Sequence, residues 1–343
     1  MPIFDAGVVA SSLVASSLGA LSWLGRQGTR ALALSVFVGI ALPPLAAVFK
    51  HVFLEALLAL LTLAFLRVDP ASLLKQFRRP GLVIAASLWT LIAVPALMCG
   101  VALAFGLPVA SEALFLALVL QAVAPPIIGS PALAALMGLD AALSLATLIV
   151  ATASTPLTVP LLASLFAGPA LEISPFWLGI KLLAMLAGTA IVAYAVRRAK
   201  GADWVARHSG PIDGLSVIVL FVFAIGLMDG VGRHILTQPL LVGALTLFVY
   251  ALSMVLIVMT CVIFHKAGRS SALALGLAVG SRNMGLMVGA AGSAVPELTW
   301  LYFAVAQFPI YTLPHALRPL IHRWIEPRIL PPGTSGVRRG ADQ

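Results

Sequence analysis

Charge is scarce in this chain. Asp, Glu, Lys and Arg make up 10% of its 343 residues, against 61% hydrophobic residues, where an ordinary soluble domain carries about 25% charged residues. That scarcity excludes a soluble fold of this length, because the apolar surplus exceeds what one core buries, and it makes lipid the solvent. Cysteine is equally rare. Cys99 and Cys261 fall in apolar runs with no CxxC or Cys/His spacing, so neither a disulfide framework nor a zinc site is implied, and packing or lipid-facing roles remain. Paired carboxylates, a His cluster and a Ser or Cys activated near a membrane face are missing too, which argues against an integral membrane enzyme. The formal charge of +9 does not point to nucleic acid, because the Lys and Arg residues sit in short segments between apolar runs, where they mark cytoplasmic loops. A basic leader is lacking as well: Asp5 precedes the first apolar stretch while Arg26 and Arg30 follow it, so the first crossing is read as uncleaved.

What is present is a series of apolar runs separated by charge, Pro and Gly. At about 20 residues per crossing, some ten helices consume nearly the whole chain. They are expected at about 31–49, 52–66, 82–105, 112–135 and 141–166, then 176–196, 215–228, 240–264, 271–290 and 298–320. The chain then reads as an all-α integral membrane protein with a single membrane domain over 31–324. An N-terminal cytoplasmic or interfacial segment covers 1–30, and a cytoplasmic tail expected to be disordered covers 325–343. Under this division only Lys50 and Arg233 lie on one side of the membrane, Lys181 and Arg282 fall within helices, and every other Lys and Arg lies opposite. By the positive-inside rule, both termini are expected in the cytoplasm of a multi-pass inner (plasma) membrane protein. Gly7 to Leu24 is uncharged and just long enough to span, yet its serines suit an interfacial helix, which is the favoured reading. Trp177, Trp300 and Tyr302 are expected near the opposite interface as belt aromatics.

Five helices per half is an odd number, so two homologous halves, about 31–166 and 176–320, must have opposite orientations, an inverted repeat. Interruptions support it: Pro125, Pro126, Gly129 and Pro131 break the fourth helix, and Gly276, Gly280, Gly285 and Gly289 punctuate the ninth. Paired breaks at corresponding positions point to a site at the midplane. In the first break, three prolines within seven residues remove amide donors and leave carbonyls seeking other partners. Broken backbone is tolerated at membrane depth where it is buried in protein or lines a cavity. The second break, Gly280-Ser281-Arg282-Asn283-Met284-Gly285-Leu286, puts a guanidinium into an apolar helix at a cost of about 2.5 to 3.5 kcal/mol on insertion scales, so it faces a cavity or a partner. Two readings stand. Either Arg282 offers a fixed charge and a bidentate fork to an anion, or it is structural, paired with Glu55, Asp140 or Asp229 or donating to the carbonyls of the broken fourth helix. Arg282, Asn283, Ser130, Pro125, Pro126 and Ser281 form the candidate substrate site.

These segments in order resemble the bile acid:sodium symporter family over about 31–324. The likeness is carried by the connection Asp69 to Pro80 with Val94-Pro95, by Ala124-Pro125-Pro126 to Ser130-Pro131 with Gly138 to Ser144 and Thr155-Pro156, and by Gly280 to Leu286. The resemblance implies a panel domain and a core domain, the broken fourth and ninth helices crossing in the core, and organic anions moved by alternating access. It also implies sodium coupling, and there the residues depart. The family's acidic sodium ligand falls on Ala278, its following Gln on Arg282, its fourth-helix Asn on Pro131 and a third-helix Gln on Thr90. Ser130, Ser144 and Asn283 survive as ion-site candidates, with Thr90 beside them, but neutral oxygens next to an Arg make a poor cation site. Strong sodium dependence is therefore not expected, and no cofactor is. The chain is expected to be a secondary transporter of a small organic anion, with lipid as its only other implied partner. A solute-binding sensor that kept the fold without turnover is the alternative.

Overall fold

The computed structural model describes residues 19–24, 28–68, 79–168, 173–292 and 295–325. Residues 1–18 of the N-terminal segment, 69–78 of the connection that carries part of the family likeness, and the tail from 326 onward lie outside the described residues. Within them the chain is all-helical, and no strand is present. Five helices are long and apolar enough to cross a membrane, or six if one bent pair counts as a span.

The bent pair differs from the expected first two crossings. Helix α1 (Gly28–Ala41) stops at Leu42, and α2 (Pro43–Lys50) begins on a double proline. A residue before proline is pushed out of the helical region, and Leu42 takes φ −122° and ψ 72°. The apolar run expected as one helix over 31–49 is thus broken before its proline pair, and helix α3 (Phe53–Arg67) leaves α2 at 68°.

The remaining elements follow the expected order. Helix α4 covers Pro80–Ala104 and contains a π-helical turn at Trp89–Ala93. The interrupted fourth helix appears as α5 (Glu112–Val123) and α6 (Ser130–Leu136). Next come α7 (Ala141–Ala167), α8 (Pro175–Lys200), α9 (Ser209–Leu227), the short α10 (Val231–Thr237) and α11 (Pro239–Ile263). The second interrupted helix appears as α12 (Arg269–Gly280) and α13 (Met284–Ala291), and α14 (Glu297–Ile325) closes the fold. The halves of an interrupted helix are each too short to span about 30 Å of hydrocarbon, which is why they do not count as spans by length.

Two packing groups emerge. In the first, α9 lies against α1, α2 and α3, and α3 lies against α8. Glycines set the spacing: a Cβ on Gly226 would meet the backbone of Phe49 at 2.8 Å, and one on Gly39 would meet Met228 at 2.7 Å. In the second, α11 packs on α12 and α14, α5 packs on α4, α7 and α14, and α6 packs on α7. Helix α13 touches elements of both groups, and α7 with α8 joins them along one edge.

Candidate functional site

The two interrupted helices meet at their breaks. Pro125 and Pro126 bring no N–H, so α5 ends at Val123 and Ala124 turns extended (φ −63°, ψ 142°). Helix α12 ends at Gly280, and Ser281 is also extended (φ −120°, ψ 93°). The two stretches run antiparallel, with Pro126 bridged to Arg282. Ile127 N donates to Ser281 O at 2.9 Å and Asn283 N donates to Pro125 O at 2.8 Å. Each break thus supplies donors to the other, as backbone buried at membrane depth requires.

Arg282 completes the junction. It is 1% exposed, and its guanidinium donates to four backbone carbonyls: Nε to Val279 O at 2.9 Å, and Nη1 to Ala124 O at 2.8 Å, Thr90 O at 3.1 Å and Ala122 O at 3.2 Å. Missing donors explain these acceptors. Ala122 O would take an amide four residues on, and that residue is Pro126. In the π-turn of α4 the Val94 amide bonds Trp89 O, so the next donor in that register, due at Thr90 O, is Pro95, which has none. Ala124 O lies past the end of α5. Three elements therefore hand their orphaned carbonyls to one side chain, whose fixed fork of five donors suits the task.

Of the two readings of Arg282, the structural one is directly visible: the guanidinium serves the carbonyls of the broken fourth helix. The proposed acidic partners are elsewhere. Asp229 accepts from Lys50 at 2.9 Å, Asp140 caps Leu143 N and accepts from Ser271, and Glu55 is exposed in the first turn of α3. Yet Nη2 of Arg282 is buried and has no hydrogen-bond partner among the described residues. Arg282 also lines a cavity of about 640 Å³ between the two packing groups.

That cavity is lined at one end by Arg67 and Ser216 and is walled mainly by apolar residues, among them Leu57, Leu60, Leu220 and Phe223 from the first group. Ile127, Ile128, Gly129 and Pro131 of the first break and Asn283 of the second face it from the other side, with Gln307 and Tyr311 of α14. Arg67 is itself neutralised by Asp213. Of the six expected substrate-site residues, only Arg282 and Asn283 line this cavity. Pro125, Pro126 and Ser281 form the crossing behind it, and Ser130 is 2% exposed. The Asn283 side chain is already in use: its Oδ1 caps α13 by accepting from Leu286 N at 3.2 Å.

The expected ion-site residues are close but loosely engaged. Ser144 Oγ donates to Ser130 Oγ at 3.5 Å, both buried, and the Thr90 hydroxyl is buried without a partner among the described residues. No group of three or more His, Cys, Asp or Glu able to hold a metal occurs among the described residues. Sequence reasoning missed Gln307 and Tyr311, although a Gln inside an apolar helix is the kind of signal that marks an intramembrane site. It also misplaced Tyr302, expected in an interfacial belt. Tyr302 is 0% exposed and its hydroxyl donates to Gln121 Oε1, because each of these polar groups needs a partner once buried.

Apolar spans and two interrupted helices crossing at their breaks, with an adjoining cavity between two helix groups, define a multi-pass membrane protein. Residues 54–192 match the model of the Sodium Bile acid symporter family, which bears out the family assignment made from the motifs. The match takes in Thr90, the first break and Ser144, and ends before Arg282. Among curated proteins none is similar enough to count as a match.

Proposed function

We propose that this protein is a secondary transporter that moves a small organic anion by alternating access without needing sodium. The observation that carries it is the guanidinium of Arg282 seated on four carbonyl oxygens at the wall of an apolar cavity. Four convergent carbonyls form the kind of cradle that suits a hard cation, and here a tethered cation fills it. The residues at the family's acidic and Gln sodium-ligand positions, Ala278 and Arg282, agree with this replacement. The guanidinium, buried with Nη2 unpartnered among the described residues, attracts the anion through its charge from beneath the cavity wall, while the apolar wall accepts the carbon skeleton. In this reading the first packing group acts as the panel and the second as the core. About ten crossings, two of them interrupted, form two inverted repeats of five in the inner membrane, with both termini cytoplasmic.

The test is uptake of a panel of labelled organic anions by proteoliposomes, with and without a sodium gradient, for wild type and Arg282→Ala. Flux that persists without sodium and is lost in Arg282→Ala is the expected result. Flux that strictly requires sodium overturns the replacement, and tight binding without flux identifies the sensor alternative.

A further inference from the structure

At the end of the fold opposite the cavity, charged side chains gather where the two helix groups meet. Arg233 Nη2 of α10 donates to Glu297 Oε1 of α14 at 2.6 Å, and His234 Nε2 lies 3.1 Å from the same oxygen. Lys50 at the end of α2 bonds Asp229 at 2.9 Å and also sits 4.7 Å from the centre of the Trp300 ring of α14. Beneath this layer Phe53 of α3 packs edge-on against Trp300 at 5.4 Å and stacks on Phe223 at 4.7 Å. Behind the aromatics, α13 approaches the first group closely: a Cβ on Gly285 would come within 2.8 Å of Phe223. This end of the intergroup crevice keeps a cavity of about 320 Å³ beneath the charges, half the 640 Å³ of the other end, with the aromatics and the α13 contact below it.

We infer that Arg233, His234 and Glu297, with Lys50 on the Trp300 ring, are a latch that holds this end shut and must release when the site turns to face it. The inference rests on the alternating-access reading above. Three features fit a latch rather than a permanent brace. Lys50 of α2 and Trp300 of α14 come from different packing groups, and α10, which carries Arg233 and His234, packs on both α1 and α11. The Arg233 and Glu297 side chains are 68% and 65% exposed, so water competes for them and the bond is weak enough to break in every cycle. The closed layer is also lined by polar atoms that find no partner among the described residues, His234 Nδ1 and Trp300 Nε1, which favours a seam that hydrates on opening over one sealed for good.

The test reads opening without any substrate, so it stands or falls apart from the transport reading. Leu301 is 1% exposed and lines the small cavity under the latch. In a Cys261→Ala background, Leu301→Cys is reacted with a hydrophilic maleimide, with buried Cys99 as the internal control. Glu297→Gln, and separately Arg233→Ala, should speed labelling at position 301 about two- to fivefold, the change expected when one exposed ion pair stops favouring the closed state. The charge-swapped pair Arg233→Glu with Glu297→Arg should slow it again. Equal rates in all variants overturn the latch. So does acceleration of Cys99 in step with position 301, which marks general loosening of the fold.

Discussion

A single guanidinium here replaces amide donors that proline took away. Arg282 serves carbonyls of α4, α5 and α12 at once, and each would otherwise be orphaned where no water reaches it. An unmade hydrogen bond to a buried polar group costs about 1 to 3 kcal/mol, so removing the fork exposes the fold to several such penalties. Arg282→Ala is expected to lower stability by about 3 kcal/mol or more, read as a fall in the melting temperature in detergent. Arg282→Lys should recover only part of it, because an ammonium lacks the planar fork that lets one side chain span acceptors on three elements. Added guanidinium chloride at low concentration should raise the melting temperature of Arg282→Ala and not that of wild type. An unchanged melting temperature in Arg282→Ala would contradict the capping role.

The elements are held at distances set by residues too small to keep them apart. Helices α11 and α12 lie close at Gly276 and Gly280: a Cβ on Gly280 would come within 2.6 Å of Ile257 and 3.1 Å of Ser253 O. Such small-residue contacts allow backbones to approach where lipid supplies no hydrophobic drive between helices. Gly280→Val is therefore expected to destabilise by about 1 to 3 kcal/mol through overpacking, read by thermal unfolding. Gly188 in α8 has nothing within 4 Å of the same probe, so Gly188→Ala should be neutral or stabilise by up to about 1 kcal/mol through its helix propensity. If both variants behaved alike, glycine content and not glycine position would be what matters. The π-turn in α4 belongs to this scale as well. It shifts the amide register by one residue so that Pro95 faces Thr90 O, and the freed carbonyl becomes one of the acceptors for Arg282.

At the scale of the molecule, one crevice has two unlike ends. The end near Arg67 holds the 640 Å³ cavity, while the end near Lys50 and Arg233 has a smaller one of about 320 Å³ under ion pairs and above stacked aromatics. Cysteines placed along it should report that asymmetry. Leu220→Cys, in the open cavity, is expected to react with a hydrophilic thiol reagent at least about tenfold faster than Leu301→Cys, since the closed state is favoured by more than about 1.4 kcal/mol when the other state is a minor one. Similar rates at the two sites would mean that the crevice is not held on one side. A solute that occupies the cavity should slow labelling at Leu220→Cys and leave Leu301→Cys unprotected.

The membrane class, both helix breaks and the importance of Arg282 were legible along the chain, because each depends on local chemistry. Long apolar runs need lipid, adjacent prolines cannot donate, and a lone guanidinium among apolar residues demands acceptors. The family likeness was legible too, and the match over residues 54–192 agrees with it. What the guanidinium does was not: three acceptors lie 158, 160 and 192 residues away, and only the crossing of the two breaks brings them within reach. The same holds for Tyr302, whose sequence neighbourhood suits an interface but whose hydroxyl meets Gln121 in the core. Which polar residues face the cavity, and that Glu297 meets Arg233 at its far end, also follow from tertiary packing, since helix neighbours are chosen by shape and spacing that no local pattern encodes.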